Sequence, residues 1–226
     1  MSQKTILRIA ALISGVSGIV ILVGVIYPIA TYTNTYTKNY TQQFISPVSD
    51  EQKSVKGKSI TQDVDFTRAS NWFVGGAEKE AFATSNVKYF TIDIPKLKIE
   101  KAIVAIGGED LSKSLIQYPG TALPGKRGNA AIFGHSILPI FYDPKNYLAI
   151  FSLLPTLKNG DEIFVDYDGI SFTYRVEAMF EVLPTDLQVL DQDTSDSFLT
   201  LVTCVPPGDP RKPKRLIVRA RVVPPK

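Results

Sequence analysis

The sequence predicts an all-β domain with short helices, a barrel or a sandwich, carried behind one N-terminal membrane-spanning helix. Three observations predict it. From Tyr89 onward the chain breaks into short runs of alternating apolar and polar residues punctuated by turn residues. Ahead of it, Ile9 to Tyr27 reads IAALISGVSGIVILVGVIY, nineteen residues without a charge; at about 1.5 Å each they reach roughly 28 Å, enough for a bilayer core. Between the two, residues 31 to 87 stay polar and show no core-facing period.

The elements follow in order. Lys4 and Arg8 precede the apolar run and no acid appears before Asp50, which places residues 1 to 30 as a cytoplasmic N-terminus plus anchor and the remainder outside the cell. The run exceeds the apolar core of a usual cleavable signal and no A-x-A site follows it, so an uncleaved anchor is expected. Residues 31 to 87 read as a polar stalk, with a helix near Lys79 to Thr84 and with Trp72 and Phe73 as the strong packing candidates. Whether those two dock on the domain or sit at the membrane interface is not decided by sequence. Residues 88 to 226 form the folded domain. Its clearest hairpin is Glu162 to Tyr167, Asp168-Gly169, then Ile170 to Val182, an Asp-Gly pair suited to a type I′ turn. Further strands are expected at Phe90 to Ile94, Ala102 to Ile106, Asn129 to His135, Phe198 to Cys204 and Arg215 to Val223. Short helices are expected near Ser112 to Gln117 and Tyr147 to Leu153.

Composition narrows the chemistry. Twenty-five Lys and Arg against 22 Asp and Glu leave a net charge of +3, which gives no electrostatic footprint for nucleic acid. One Cys and one His exclude an intramolecular disulfide and a structural zinc site built from Cys and His alone. Strand alternation sets Leu199, Leu201 and Thr203 on one face and Thr200, Val202 and Cys204 on the other, so a core on the leucine face points the thiol away from it. His135 closes an apolar run at a strand end. Arg215 opens the next strand after VPPGDPRKPK, whose four prolines restrict the connection. A thiolate nucleophile, an imidazole proton carrier and a guanidinium for the oxyanion together make an acyl-transfer kit. Arg219 and Arg221 read as surface charges, and Arg211, Lys212 and Lys214 as a solvated basic rim.

Thr200-Leu201-Val202-Thr203-Cys204 resembles the TLxTC motif of sortases, the membrane-anchored cysteine transpeptidases of bacterial surfaces. Arg215-Leu216-Ile217-Val218 is similar to their Arg-bearing strand, and Gly134-His135 to the site of their His. The resemblance covers about residues 88 to 223 and the anchor. It implies an eight-stranded β-barrel with Cys204 as nucleophile, His135 as general acid and base, and Arg215 as oxyanion or substrate stabiliser. It implies a secreted protein with an LPxTG-like signal as substrate and the amine of a cell-wall precursor as acceptor. By the same resemblance the loop Leu183 to Ser197 reads the signal, with Leu187, Val189 and Leu190 as apolar contacts and with Thr203 and Ile217 as further substrate-binding candidates. No cofactor is expected. Asp191, Asp193 and Asp196 resemble the calcium-binding acids of some members but read as solvated charges.

Pilin-polymerising members carry a second C-terminal span and an Asp-Pro-aromatic lid. The Asp-Pro pairs here are Asp143-Pro144 and Asp209-Pro210, and the sequence stops at Lys226, so protein anchoring is favoured over pilin polymerisation. An L,D-transpeptidase would need a Ser-x-Gly-Cys-Arg-like neighbourhood, which Thr203-Cys204-Val205 lacks. The remaining rival is a non-catalytic membrane-anchored binding module.

Overall fold

The computed structural model describes residues 3–40, 64–82 and 88–224. Two compact units divide the chain at Gln42/Gln43. The first is a single helix, α1 (Gln3–Tyr40, 38 residues), so the Thr and Tyr run expected as stalk is helical through Tyr40. Its described apolar side chains, among them Leu12, Val16, Ile19 and Leu22, are exposed. Among the described residues no helix is long and apolar enough to cross a membrane. Residues 41–63 and 83–87 of the expected stalk lie outside the described residues.

The second unit is a closed eight-stranded barrel: β1 (Lys88–Ile94), β2 (Ile99–Ile106), β3 (Leu115–Gln117), β4 (Gly128–Phe133), β5 (Glu162–Tyr167), β6 (Ile170–Val182), β7 (Ser197–Val205) and β8 (Lys214–Val222). The order around it is β1-β2-β3-β4-β7-β8-β6-β5, and β5 closes on β1 through Thr91 opposite Asp166. β2/β3 and β4/β7 pair in parallel. The expected β5–β6 hairpin forms with Asp168 at φ 53° and Gly169 at φ 75°, both positive as a type I′ turn requires. The expected helix at Ser112 to Gln117 is instead a turn leading into β3, because residues 115–117 bridge β2 and β4. Tyr147 to Leu153 is a series of turns before a 3-10 turn at Leu154–Thr156.

All nine residues of β7 are buried, so this strand has apolar cover on both sides. By alternation Leu199, Leu201 and Thr203 face the barrel interior. On the outer face Val202 and Cys204 join Ala131, Phe133 and Ile217 in a second apolar cluster. The cover of that cluster is the segment 64–82, where Trp72, Phe73 and Phe82 are buried. Trp72 stacks on Phe133 at 5.4 Å between ring centroids and Tyr118 lies 5.0 Å from the same ring. Each aromatic buried there stabilises the closed arrangement by roughly 3 kcal/mol. α2 (Lys79–Phe82) completes the segment, close to the helix expected near Lys79 to Thr84.

Backbone and side-chain bonds fix this strap to the barrel. Leu111 N donates to Thr67 O at 2.8 Å and Val74 N to Pro184 O at 2.9 Å. Ala77 N donates to the Tyr118 hydroxyl at 2.6 Å, and the Trp72 indole closes on Phe66 O at 2.8 Å. A polar-looking stretch is therefore ordered by two adjacent aromatics, Trp72 and Phe73, which both pack on the Phe133 ring.

Candidate active site

The β7/β8 register sets Cys204 directly opposite Arg215. Opposed residues on antiparallel strands share a face, so the guanidinium rises on the same side as the thiol. β4 runs parallel to β7 with Phe133 beside Val202, and Gly134 N continues the ladder to Val202 O at 3.1 Å. His135 is the next residue, so it leaves the sheet at the level of Cys204. Three bonds fix that departure: Thr203 Oγ1 to Gly134 O at 2.8 Å, Ser136 Oγ to Cys204 O at 2.6 Å, and Phe151 N to His135 O at 2.9 Å. Gly134 has no alternative, since a Cβ there would stand 2.5 Å from both Leu115 and Phe151 side-chain carbons.

The strap covers all three groups. Cys204 is 2% exposed, His135 4%, Arg215 1% and Trp72 0%. Arg215 Nε donates to Trp72 O at 3.1 Å, and Nη1 to Lys212 O at 2.8 Å and Lys214 O at 3.2 Å. The guanidinium also lies over the Trp72 ring at 5.5 Å, and the Trp72 ring centre is 5.7 Å from that of His135. One tryptophan thus touches both polar members of the expected trio and shares an apolar cluster with the thiol.

Burial sets the protonation of this closed site. It pushes the Cys204 thiol up, against the opposing pull of the Arg215 and Lys212 charges. It lowers His135 to about 4, helped by Lys212 and opposed by the Asp65 and Asp110 charges. At neutral pH the strapped site therefore holds a neutral thiol and a neutral imidazole. Among the described residues His135 Nε2 has no hydrogen-bond partner.

The substrate-binding candidates divide. Val189 is buried in the outer cluster, with Leu187 and Leu190 packed against it, and Ile217 belongs to the same cluster. All four line the groove that the strap fills. Thr203 differs: it is fully buried on the interior face and its hydroxyl serves Gly134 O, so it ties β7 to β4 and presents nothing to the groove. The 3-10 turn Leu187–Leu190 is anchored from below. Asn129 Nδ2 donates to Val189 O at 3.0 Å, Thr200 Oγ1 to Asn129 Oδ1 at 2.6 Å, and Arg219 Nη2 to Val189 O at 2.9 Å.

Arg219 is therefore not the surface charge expected from sequence. Lys212, expected in a solvated rim, is half-buried with its ammonium 4.7 Å from the Phe66 ring centre. Lys214 pairs with Glu181 at 3.0 Å. Residues that sequence did not assign to the site are Trp72, Ser136, Asn129 and Lys212. The alternation that pairs Arg219 with Ile217 on one face was the available signal for Arg219. Among the described residues no group of three or more His, Cys, Asp or Glu is arranged to hold a metal ion. Asp193, one of the loop acids, accepts from Ser195 N at 2.8 Å.

Comparison with known proteins gives the geometry a family. The sortase-domain family model matches residues 92–223. Sortase A of Bacillus anthracis is 25% identical over 185 residues, 76% of this chain and 82% of that one. Sortase A of Streptococcus agalactiae is 28% identical over 132 residues, 58% of this chain and 51% of its own length, so the chain spans about half of that relative. Among solved structures, a Clostridium perfringens Sortase D5 transpeptidase superposes with TM-score 0.52 at 27% identity, covering 65% of this chain and 93% of that one. Sortase A from Corynebacterium diphtheriae gives 0.53 at 30% identity, with 64% of each chain covered. With a closed barrel that sets Cys204 against Arg215, and a family match over more than half its length, the chain belongs to the sortase family of cysteine transpeptidases.

Proposed function

We propose that this protein is a transpeptidase that cleaves an LPxTG-like signal on exported proteins and joins the new acyl end to an amine of a cell-wall precursor. The observation that carries the reading is the placement of Cys204 opposite Arg215 across β7 and β8, with His135 leaving β4 beside them. Cys204 Sγ attacks the scissile carbonyl while His135 takes the thiol proton. Arg215 donates to the oxygen that becomes negative, in the role its Nε plays toward Trp72 O in the closed form. The C–N bond breaks, His135 returns the proton to the leaving amine, and a thioester remains on Cys204. An incoming amine gives its proton to His135, attacks the thioester and releases the thiol. Val189, Leu187, Leu190 and Ile217 form the apolar side of the signal groove. Cys204 is inaccessible under Trp72, so acylation requires the strap to leave.

The proposed location is the outer face of a bacterial membrane, with the charge-free run Ile9 to Tyr27 as anchor behind Lys4 and Arg8. Pilin polymerisation, in which the acceptor is a lysine of another subunit, is the second reading, and the strap favours it: an N-terminal cover is present with Asn71-Trp72 where an Asp-Pro-aromatic lid was sought. The test mixes the full-length protein in detergent with LPxTG-like peptides and an amine, followed by intact mass spectrometry, with Cys204→Ala as control. A peptide-sized adduct that the control lacks and that amine releases is expected. A folded protein that forms no adduct with any peptide after Trp72→Ala would overturn the reading in favour of a binding module.

A further inference from the structure

The end of the barrel at which His135 leaves β4 carries a second surface feature, outside the site. β3 pairs antiparallel with β4, Ile116 opposite Phe133, and parallel with β2, Leu115 beside Val104, so the β1–β2 turn and the start of β2 stand at that same end. The loop between β4 and β5 lies against them: the Tyr142 hydroxyl donates to Leu97 O, and Ile103 N donates to the Tyr147 hydroxyl at 2.9 Å. Its Leu138 side chain meets the β7–β8 loop, where a Cβ on Gly208 would stand 2.6 Å from Leu138 Cγ. None of these contacts involves the strap. Within the loop the 3-10 turn Pro139–Phe141 is closed by Phe141 N to Leu138 O at 2.9 Å and Tyr142 N to Pro139 O at 3.1 Å. This fixed turn holds Ile140 69% and Phe141 64% exposed, an aliphatic and an aromatic side chain that serve no core.

The charges at this end are unequally spent. Asp161 is taken by Lys96 at 2.6 Å, Asp209 by Arg211 at 2.7 Å, and Asp143 Oδ1 accepts from Lys145 N at 2.9 Å. Lys98, Lys101 and Lys145 are exposed, and among the described residues no carboxylate lies within salt-bridge distance of their ammonium groups; Glu100 is the one exposed acid between them. An apolar pair set among unpaired lysines suits a lipid headgroup region, where apolar side chains enter the acyl boundary and long basic ones reach the phosphates. A soluble polyanion would use the lysines and leave Ile140 and Phe141 in water. We infer that this end of the barrel docks on an anionic lipid bilayer, with Ile140 and Phe141 entering the headgroup boundary and Lys98, Lys101 and Lys145 meeting lipid phosphates. Docking turns the Cys204 end of the barrel towards the lipid surface. The inference goes beyond the transpeptidase reading and uses none of its chemistry.

The test reads contact with lipid directly. The chain's one tryptophan, Trp72, is fully buried, so Phe141→Trp adds a single exposed indole and keeps the turn apolar. Full-length Phe141→Trp protein is reconstituted into vesicles of phosphatidylcholine alone or of phosphatidylcholine with phosphatidylglycerol, each with and without brominated acyl chains, and its emission is compared with that of the wild type in the same vesicles. Bromine quenching beyond the wild-type level is expected in the anionic vesicles and far less in the neutral ones. Lys98→Gln with Lys101→Gln in that background is expected to lower the docked-to-free ratio about 25-fold, at about fivefold per basic residue beside an anionic leaflet, with the melting temperature unchanged. No quenching beyond the wild type in either vesicle overturns the inference, as does quenching that is equal in both or that survives the paired lysine change. A shift of the added indole's emission with soluble polyglycerol phosphate but not with vesicles overturns it in favour of a soluble polyanion. Adduct formation on Cys204 is read separately and bears on the transpeptidase reading alone.

Discussion

Arg215 and Trp72 are joined by a hydrogen bond of 3.1 Å from the guanidinium Nε to a main-chain carbonyl, and the same guanidinium lies 5.5 Å from the indole ring centre. The group expected to meet a substrate carbonyl is already meeting one. The closed form is therefore complementary to itself, and the strap competes with substrate for Arg215 and for the apolar groove together.

Removing the ring should tilt that competition. Trp72→Ala deletes the stack on Phe133 and is expected to raise the rate of Cys204 alkylation by iodoacetamide at least tenfold. It should also lower overall stability by about 3–5 kcal/mol, the usual cost of a buried Trp. Timed mass spectrometry reads the first effect and urea denaturation the second. An unchanged alkylation rate would mean that the strap does not govern access.

Acid should loosen the fold through His135. Its folded value near 4 lies below the ordinary histidine value of 6.5, so between those pH values the unfolded or unstrapped chain binds a proton that the closed one refuses. Stability then falls as pH drops from about 6.5 towards 4, by up to about 1.4 kcal/mol per unit. The urea midpoint measured at pH 7 and at pH 4.5 should show this slope in the wild type and a shallower one in His135→Gln. Equal slopes would place the sensitivity elsewhere.

Arg215→Lys keeps the charge but replaces a planar fork with a point donor. A loss of about 10²–10³ in kcat is expected, with the smaller change in KM, as for removal of one oxyanion donor. Steady-state kinetics with a signal peptide separates the two; a loss confined to KM would make Arg215 a binding residue.

Asn129 is fully buried and holds Val189 O while accepting from Thr200. Asn129→Ala strands the Thr200 hydroxyl and leaves Val189 O to Arg219 alone, costing about 1–3 kcal/mol, and loosens the turn that lines the groove. KM for the signal peptide is expected to rise several-fold with kcat little changed, measured at a temperature where the variant remains folded. A kcat loss instead would place the turn in the chemistry.

Much of this molecule was readable before folding. The β5–β6 hairpin followed from an Asp-Gly pair between two alternating runs, and β7 and β8 from alternation alone, which also set the thiol on the face away from the barrel interior. β3 was not readable, because a strand of only three residues exists through its neighbours β2 and β4 rather than through any local preference. Nor was the destination of Trp72. A tryptophan in a polar stretch announces that it will be buried, not where, and its site is made by Phe133, Tyr118 and Arg215 from distant parts of the chain. Lys212 was misread for the same reason: its neighbour Phe66 comes from a segment with no pattern of its own.

The parallel pairing of β4 with β7 carries a consequence for the newly made chain. Ser136 and Cys204, joined at 2.6 Å in the finished fold, stand 68 positions apart in sequence, and parallel strands meet only after a long connection has closed. Until that late event the thiol has the Arg215 guanidinium that the antiparallel β7–β8 pair sets opposite it, but no imidazole to take its proton. Barrel closure is thus also a maturation step, and a chain still threading or half-folded carries no acylating power towards whatever it meets on the way.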